Sequence, residues 1–205
     1  MMMNAWFISS AAVGYLLGSL PFGYWVARAH GVDIFKVGSG NPGATNVKRT
    51  LGAKAGNTVL ALDVAKGAIA TAWPLLPMVA APAATTLALI GVVGAVLGHS
   101  FSIFTRFRGG KGVATAAGGL LVLAPVACAI AAATWVGALY VFRYVSLASI
   151  LAATAAITAS WLLPHQVASS VIVSLLAGFV ILRHHENIKR LLSGTENKWH
   201  RKPRI

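Results

Sequence analysis

Acidic residues are nearly missing from this chain. Asp33, Asp63, Glu186 and Glu196 are all it has, against 17 lysines and arginines. Enzymes that hold Mg²⁺ for phosphoryl chemistry need clustered carboxylates. No such cluster exists here, so metal-dependent phosphotransfer is excluded and neither metal nor cofactor is expected. No aspartate stands five residues after a histidine, which removes the His-x4-Asp acyltransferase arrangement, and no Ser-His-Asp triad can be assembled. Cysteine is scarcer still. Cys128 alone rules out an intrachain disulfide framework or a thiolate metal cluster.

Charge of either sign is sparse. Only 10% of the 205 residues are charged, where a soluble domain carries about 25%, and 57% are hydrophobic. Such a chain cannot clothe itself in a water-facing surface. The net charge of +13 is therefore no nucleic-acid signature, since basic nucleic-acid patches sit on polar, soluble domains. Here the basic residues punctuate apolar stretches, as orientation signals do in membranes. The N-terminal Met-Met-Met-Asn-Ala-Trp has no positive n-region and no A-x-A cleavage site follows it, so a retained first helix is expected.

A bilayer crossing needs roughly 20 apolar residues, with about 17 as the practical minimum. The apolar runs predict an all-α integral membrane protein of a single domain with seven spans, at 5–27, 57–76, 83–104, 112–125, 127–142, 146–163 and 166–182. The fourth and fifth share one 31-residue run, divided at Pro125. With the N-terminus outside, the inside segments hold Arg28, Lys36, Lys48, Arg49, Lys54, Arg106, Arg108, Lys111, Arg143 and every basic residue after Leu182. The connections near Pro77–Pro82, Pro125 and Pro164 hold no lysine or arginine, the asymmetry expected of the positive-inside rule. Gly14-x-x-x-Gly18 and Gly94-x-x-x-Gly98 each put two glycines on one helix face, where neighbouring backbones can approach.

Three polar segments all fall on the inside. The first is Gly38-Ser-Gly-Asn-Pro-Gly-Ala-Thr-Asn-Val-Lys-Arg49. Its G-x-G-x-x-G lacks the βαβ surroundings of a dinucleotide site. It does offer a flexible backbone able to form an anion nest, neutral donors at Ser39, Asn41, Thr45 and Asn46, and the planar fork of Arg49 suited to phosphate. The second runs from His99 to Gly112 and is no P-loop, because Thr105 stands at the first glycine position and Gly112 follows the lysine. Gly109 and Gly110 still make a turn with Lys111 at its tip, ahead of a helix whose N–H groups favour anions. Arg106 and Arg108 read as headgroup anchors. The third is Arg183-His-His-Glu-Asn-Ile-Lys-Arg190, in which His184 and Asn187 lie three apart, on one helix face. The spacing of Arg143, Ser146 and Ser149 likewise puts them on one face, and Asp63 with Lys66 reads as a compensating ion pair. A site so built works with cations, hydroxyls and backbone N–H groups on anionic ligands. A transporter of phosphorylated solutes or a lipid-binding scaffold could use the same cations. No inverted repeat supports the first, and the second leaves the 38–46 segment without a role.

Gly18-Ser-Leu-Pro-Phe-Gly23, the 38–49 segment, Leu62-Asp-Val-Ala-Lys-Gly67, the Gly-Gly-Lys-Gly stretch after His99, Arg143-x-x-Ser-x-x-Ser149 and the run from Arg183 to Glu196 occur in an order that resembles the bacterial acyl-phosphate:glycerol-3-phosphate acyltransferases of the PlsY type. The resemblance runs from end to end. It implies seven helices, an outside N-terminus, the bacterial cytoplasmic membrane and an active site on the cytoplasmic face. The reaction implied passes an acyl group from acyl phosphate to the 1-hydroxyl of glycerol 3-phosphate, giving lysophosphatidate and phosphate, the first acylation of phospholipid synthesis. Ser39, Arg49, Lys111, His184 and Asn187 would be central, with Ser149 and the Gly109–Gly110 backbone helping to hold phosphate. Glycerol 3-phosphate, acyl phosphate and membrane lipid are the partners implied, and the enzyme that makes acyl phosphate is a further candidate. The phosphate leaving group can accept the hydroxyl proton, its second pKa being near 6, which removes the need for a protein base. Ser39 and His184 are the alternatives for holding the oxyanion.

Overall fold

The apolar runs become helices, and they break where proline or a polar turn requires it. The structure is a computed structural model that describes residues 2–199 other than 78, 80 and 165. The basic residues at 201–204, expected to mark the cytoplasmic side, lie outside that set. The described residues form helices and turns with no strand, and they divide into two units, one ending at Leu123 and one beginning at Ala124.

The first unit holds α1 (Met2–Ser19), α2 (Phe22–Ala29), α3 (Ala44–Leu51), α4 (Ala53–Ala72), α5 (Ala84–Ser100) and α6 (Val113–Leu123). α1 packs on α5 through the small residues singled out above. A methyl group at Gly14 would meet the Gly91 carbonyl, one at Gly18 the Ala95 backbone, and one at Gly98 the Tyr15 carbonyl. The glycine pairs thus serve packing between these two helices, where small residues let backbones touch. The first expected span is one apolar stretch, Met3–Ala29, divided between α1 and α2 at Leu20–Pro21. Proline has no N–H to continue the ladder and biases the residue before it away from the helix.

That break strands carbonyls in an apolar environment, where each unsatisfied group costs several kcal/mol. Two side chains donate to them, and the Leu20 carbonyl also accepts the Phe22 N–H at 3.1 Å. Ser102 Oγ donates to the Ser19 carbonyl, and Lys66 Nζ donates to the Leu20 carbonyl at 2.9 Å.

The second unit holds α7 (Pro125–Phe142), α8 (Val145–Leu162), α9 (Val167–Leu182) and α10 (His185–Leu192). Its helices are joined by side-chain hydrogen bonds of the kind that link helices in lipid. Trp135 Nε1 donates to Ser149 Oγ at 3.1 Å, and Trp161 Nε1 donates to Ser174 Oγ at 3.0 Å.

Among the described residues five helical stretches are long and apolar enough to cross a membrane, and α9 with α10, bent by 55°, makes a sixth if the two count as one. α6 has 11 residues, about 16 Å of helix against a hydrocarbon core of ~30 Å. The seventh expected crossing therefore rests on α6, which does not reach across alone.

Candidate active site

The 38–49 segment is shaped by its own amides. Gly38 and Gly40 take φ of 58° and 65°, a region that favours glycine. Asn46 is 2% exposed. Its Oδ1 accepts the Ser39 N–H at 3.0 Å, and its Nδ2 donates to the Val37 carbonyl at 3.0 Å. Asn41 Oδ1 accepts the Gly43 N–H at 2.9 Å, an Asx turn. The amide of Asn46, read from sequence as a phosphate donor, is spent on holding the loop. Ser39, Thr45 and Arg49 remain exposed, and Thr45 and Arg49, four apart on α3, share a face. Unpaired polar groups cost more than paired ones, so a loop destined to present Ser39 needs an internal brace of this kind.

In the second segment the chain turns sharply after α5. Arg106 and Phe107 both adopt left-handed φ, 54° and 60°, and Phe107 N–H donates to the Ser102 carbonyl at 2.8 Å. The guanidinium of Arg108 lies 4.2 Å from the centre of the Phe35 ring, a cation–π contact that ties this loop to the one before Gly38. Arg108, read from sequence as a headgroup anchor, is instead placed on an aromatic face of the protein. Gly110 is buried and its N–H donates to the His99 carbonyl at 3.0 Å, so that N–H is already committed. α6 begins at Val113, and the first N–H groups of a helix have no intrahelical partner. Together with half-buried Lys111 they place positive potential at this end of α6.

Beneath the Gly109–Gly110 turn is a cavity lined by Ser19, Phe22, Asp63, Lys66, His99 and Ser102, among others. Asp63 and Lys66 form the ion pair expected from their spacing, Oδ1 to Nζ at 2.8 Å, with both side chains 3% exposed. His99 Nδ1 lies 3.5 Å from the same Asp63 oxygen. His99 was not among the residues expected to matter for the site.

In the second unit, Glu196 gathers the third segment. Its side chain is 4% exposed. Oε1 accepts from Ser146 Oγ at 2.8 Å and Asn187 Nδ2 at 2.7 Å, while Oε2 accepts from Arg190 Nε at 2.8 Å. Burial alone would raise its pKa, but the hydrogen bonds from Arg190, Asn187 and Ser146 outweigh that and hold the carboxyl below its usual value of 4.5. Asn187 is thereby locked in one orientation. His184 is 3% exposed, and its Nδ1 lies 2.8 Å from the Val180 carbonyl. A carbonyl only accepts, so Nδ1 carries a proton.

The face expected to unite Arg143, Ser146 and Ser149 does not form. α8 starts at Val145, and Arg143 caps α7 with φ of 64°, its side chain exposed. A left-handed cap lies outside the helix, so spacing by three no longer sets its direction. Ser146 faces Glu196, and Ser149 donates to the Val145 carbonyl at 2.9 Å.

Every acid has a cationic neighbour: Asp33 with Lys36, Asp63 with Lys66, Glu186 with Lys189, and Glu196 with Arg190. What the site offers an incoming ligand is therefore positive charge and neutral donors.

These features define a polytopic, all-helical membrane protein built to meet anions. The family model for glycerol-3-phosphate acyltransferase matches residues 8–194, and the chain belongs to that family. A glycerol-3-phosphate acyltransferase of Bacillus cytotoxicus is 47% identical over 187 residues, 91% of each chain. One of Bacillus subtilis is 45% identical over 91% of this chain and 94% of its own. Among solved structures, PlsY, an integral membrane glycerol 3-phosphate acyltransferase, matches in its glycerol 3-phosphate form with TM-score 0.88 and 37% identity, covering 95% of this chain and 96% of that one. Its lysophosphatidic acid form matches with TM-score 0.86 and 36% identity.

Proposed function

We propose that this protein transfers an acyl group from acyl phosphate to the 1-hydroxyl of glycerol 3-phosphate, releasing phosphate and lysophosphatidate, as the first acylation in bacterial phospholipid synthesis. The observation that carries the reading is the match, over more than nine-tenths of both chains, to glycerol-3-phosphate acyltransferases. Arg49 and Lys111 are the phosphate-binding cations, the first through a bidentate fork and the second as a point charge. Ser39, exposed on a braced loop, donates to the developing oxyanion. His184, whose Nδ1 proton is held by the Val180 carbonyl, and Asn187 orient the glycerol. Thr45 shares the Arg49 face, and Asn41 and Asn46 act through the loop. Gly109 and Gly110 act through the turn that carries Lys111, exposed Arg143 adds positive charge, and Ser149, whose hydroxyl donates to the Val145 carbonyl, acts by holding its helix. The bond broken joins the acyl carbon to the phosphate oxygen, and the departing phosphate takes the hydroxyl proton.

Purified protein treated with chelator should still form lysophosphatidate and phosphate in equal amounts, and acyl-CoA, which brings no phosphate on its acyl carbon, should be a poor donor. Strict dependence on divalent metal, or equal rates with both donors, would overturn the mechanism. Binding of glycerol 3-phosphate without phosphate release would point to a transporter instead.

The site is proposed to face the cytoplasm, in a seven-span arrangement with the N-terminus outside, supported by the one-sided basic residues. Single cysteines at the exposed positions Pro77, Pro164 and Ser193, in a Cys128→Ala background, test this with an impermeant thiol reagent on cells whose outer barrier has been opened. The first two should label and the third should not. The reverse pattern would invert the topology.

A further inference from the structure

We infer that His99, held by Asp63, is a positioning residue that sets the Gly109–Gly110 turn and with it Lys111. The inference rests on the reading above that this turn serves a phosphate substrate. Three observations carry it. First, the turn sits directly on His99. A methyl group at Gly110 would collide with the His99 imidazole at Nε2, and one at Gly109 would collide with the His99 carbonyl and lie 2.7 Å from the Ser100 carbonyl. Only glycine lets the turn approach so closely. Second, the Gly110 N–H is bonded to the His99 carbonyl at 3.0 Å, so backbone and ring of one residue both fix the turn.

Third, the ring is itself fixed from behind. Its Nδ1 faces Asp63 Oδ1 at 3.5 Å, and that oxygen is held by Lys66 Nζ at 2.8 Å. Lys66 also donates to the Leu20 carbonyl at 2.9 Å and lies 5.5 Å from the Phe22 ring centre. Asp63, Lys66 and His99 come from α4 and α5, which are packed helices and not loops. A charge pair buried to this degree is costly unless well bonded, and its bonds run from the helices through His99 to the turn. A cation whose backbone rests on such a strut has far less freedom than the flexible tip suggested by Gly-Gly-Lys-Gly. Misplacement of a binding group by 1 Å can cost about 100-fold in rate, which is what the strut prevents.

Asp63→Asn would strand the Lys66 charge and endanger folding, so the decisive variants are at the contact. Gly110→Ala should raise KM for one of the two phosphate substrates by about 100-fold, with a much smaller change in kcat. His99→Ala should raise the same KM by about tenfold. The double variant His99→Ala, Gly110→Ala should recover at least about tenfold of the Gly110→Ala loss, because removing the imidazole makes room for the methyl. Losses that multiply, or a His99→Ala enzyme with wild-type KM, would overturn the inference. Hydrogen exchange supplies a readout that needs no turnover. In His99→Ala the amides of 107–112 should exchange at least about tenfold faster, while those of α5 and α6 stay as in the wild type. Unchanged exchange there would refute the strut. A wild-type protein that makes no lysophosphatidate would refute the proposed reaction and leave the exchange result to decide the strut.

Discussion

Lys111→Ala is expected to lower kcat/KM for acyl transfer by about 10³-fold, the upper end of what one transition-state donor contributes. Arg49→Lys should cost about 10²-fold, although the charge is kept, because a point charge cannot reproduce a two-pronged contact with phosphate. Arg106→Ala provides the contrast. Arg106 is exposed, on a left-handed turn, and its loss should change the rate by less than about threefold. Initial rates of phosphate release from detergent-purified variants with matching thermal midpoints decide the matter. Three small and equal losses would reduce these cations to general lipid contacts.

Glu196→Gln should lower stability markedly. It removes a charge that accepts from Ser146, Asn187 and Arg190, and it puts an amide NH₂ against donors. Hydrogen bonds to a charged group contribute about 1.5–3 kcal/mol, which for a chain of this length is a drop in thermal midpoint of roughly 3–12 °C. Glu186→Gln is the control. Glu186 and Lys189 are 56% and 72% exposed, and such surface pairs contribute little. The pH dependence follows from the lowered pKa of Glu196. A carboxyl depressed on folding stabilises fully above its unfolded value of 4.5, and the contribution is lost as pH falls through the lower folded value. The wild type should therefore lose thermal stability on acidification below 4.5, and Glu196→Gln should lose less. An unchanged midpoint for Glu196→Gln at neutral pH would show that the three donors find other partners.

The helices were legible because hydrophobic runs and prolines act locally: the 112–142 run divides beside Pro125, and the Gly14/Gly18 and Gly94/Gly98 pairs lie on packed helices. The break at Leu20–Pro21 was not anticipated, since Pro21 sits in an otherwise continuous apolar stretch. The ion pair of Asp63 and Lys66 could be read from spacing by three, but its link to His99 could not, because that contact is made between different helices. Asn46 was taken for a ligand donor because a short amide in a glycine-rich loop looks the same whether it bonds phosphate or its own backbone. Glu196 stood in a recognisable motif, yet its three donors, Ser146 on α8 and Asn187 and Arg190 on α10, meet it only after folding. Arg143 shows the limit of periodicity. One residue of left-handed backbone removed it from the helix that its spacing implied.

The broken first span has a consequence for biogenesis. The carbonyls freed at Ser19 and Leu20 are satisfied by Ser102 and Lys66, residues the ribosome adds much later. Until residue 102 is made the Ser19 carbonyl lacks its side-chain donor, while the Leu20 carbonyl keeps the Phe22 N–H and gains Lys66 once α4 is made. A chain truncated before residue 102 is therefore expected to insert its first segment less completely than one that includes it, as a glycosylation or protease-protection assay would read.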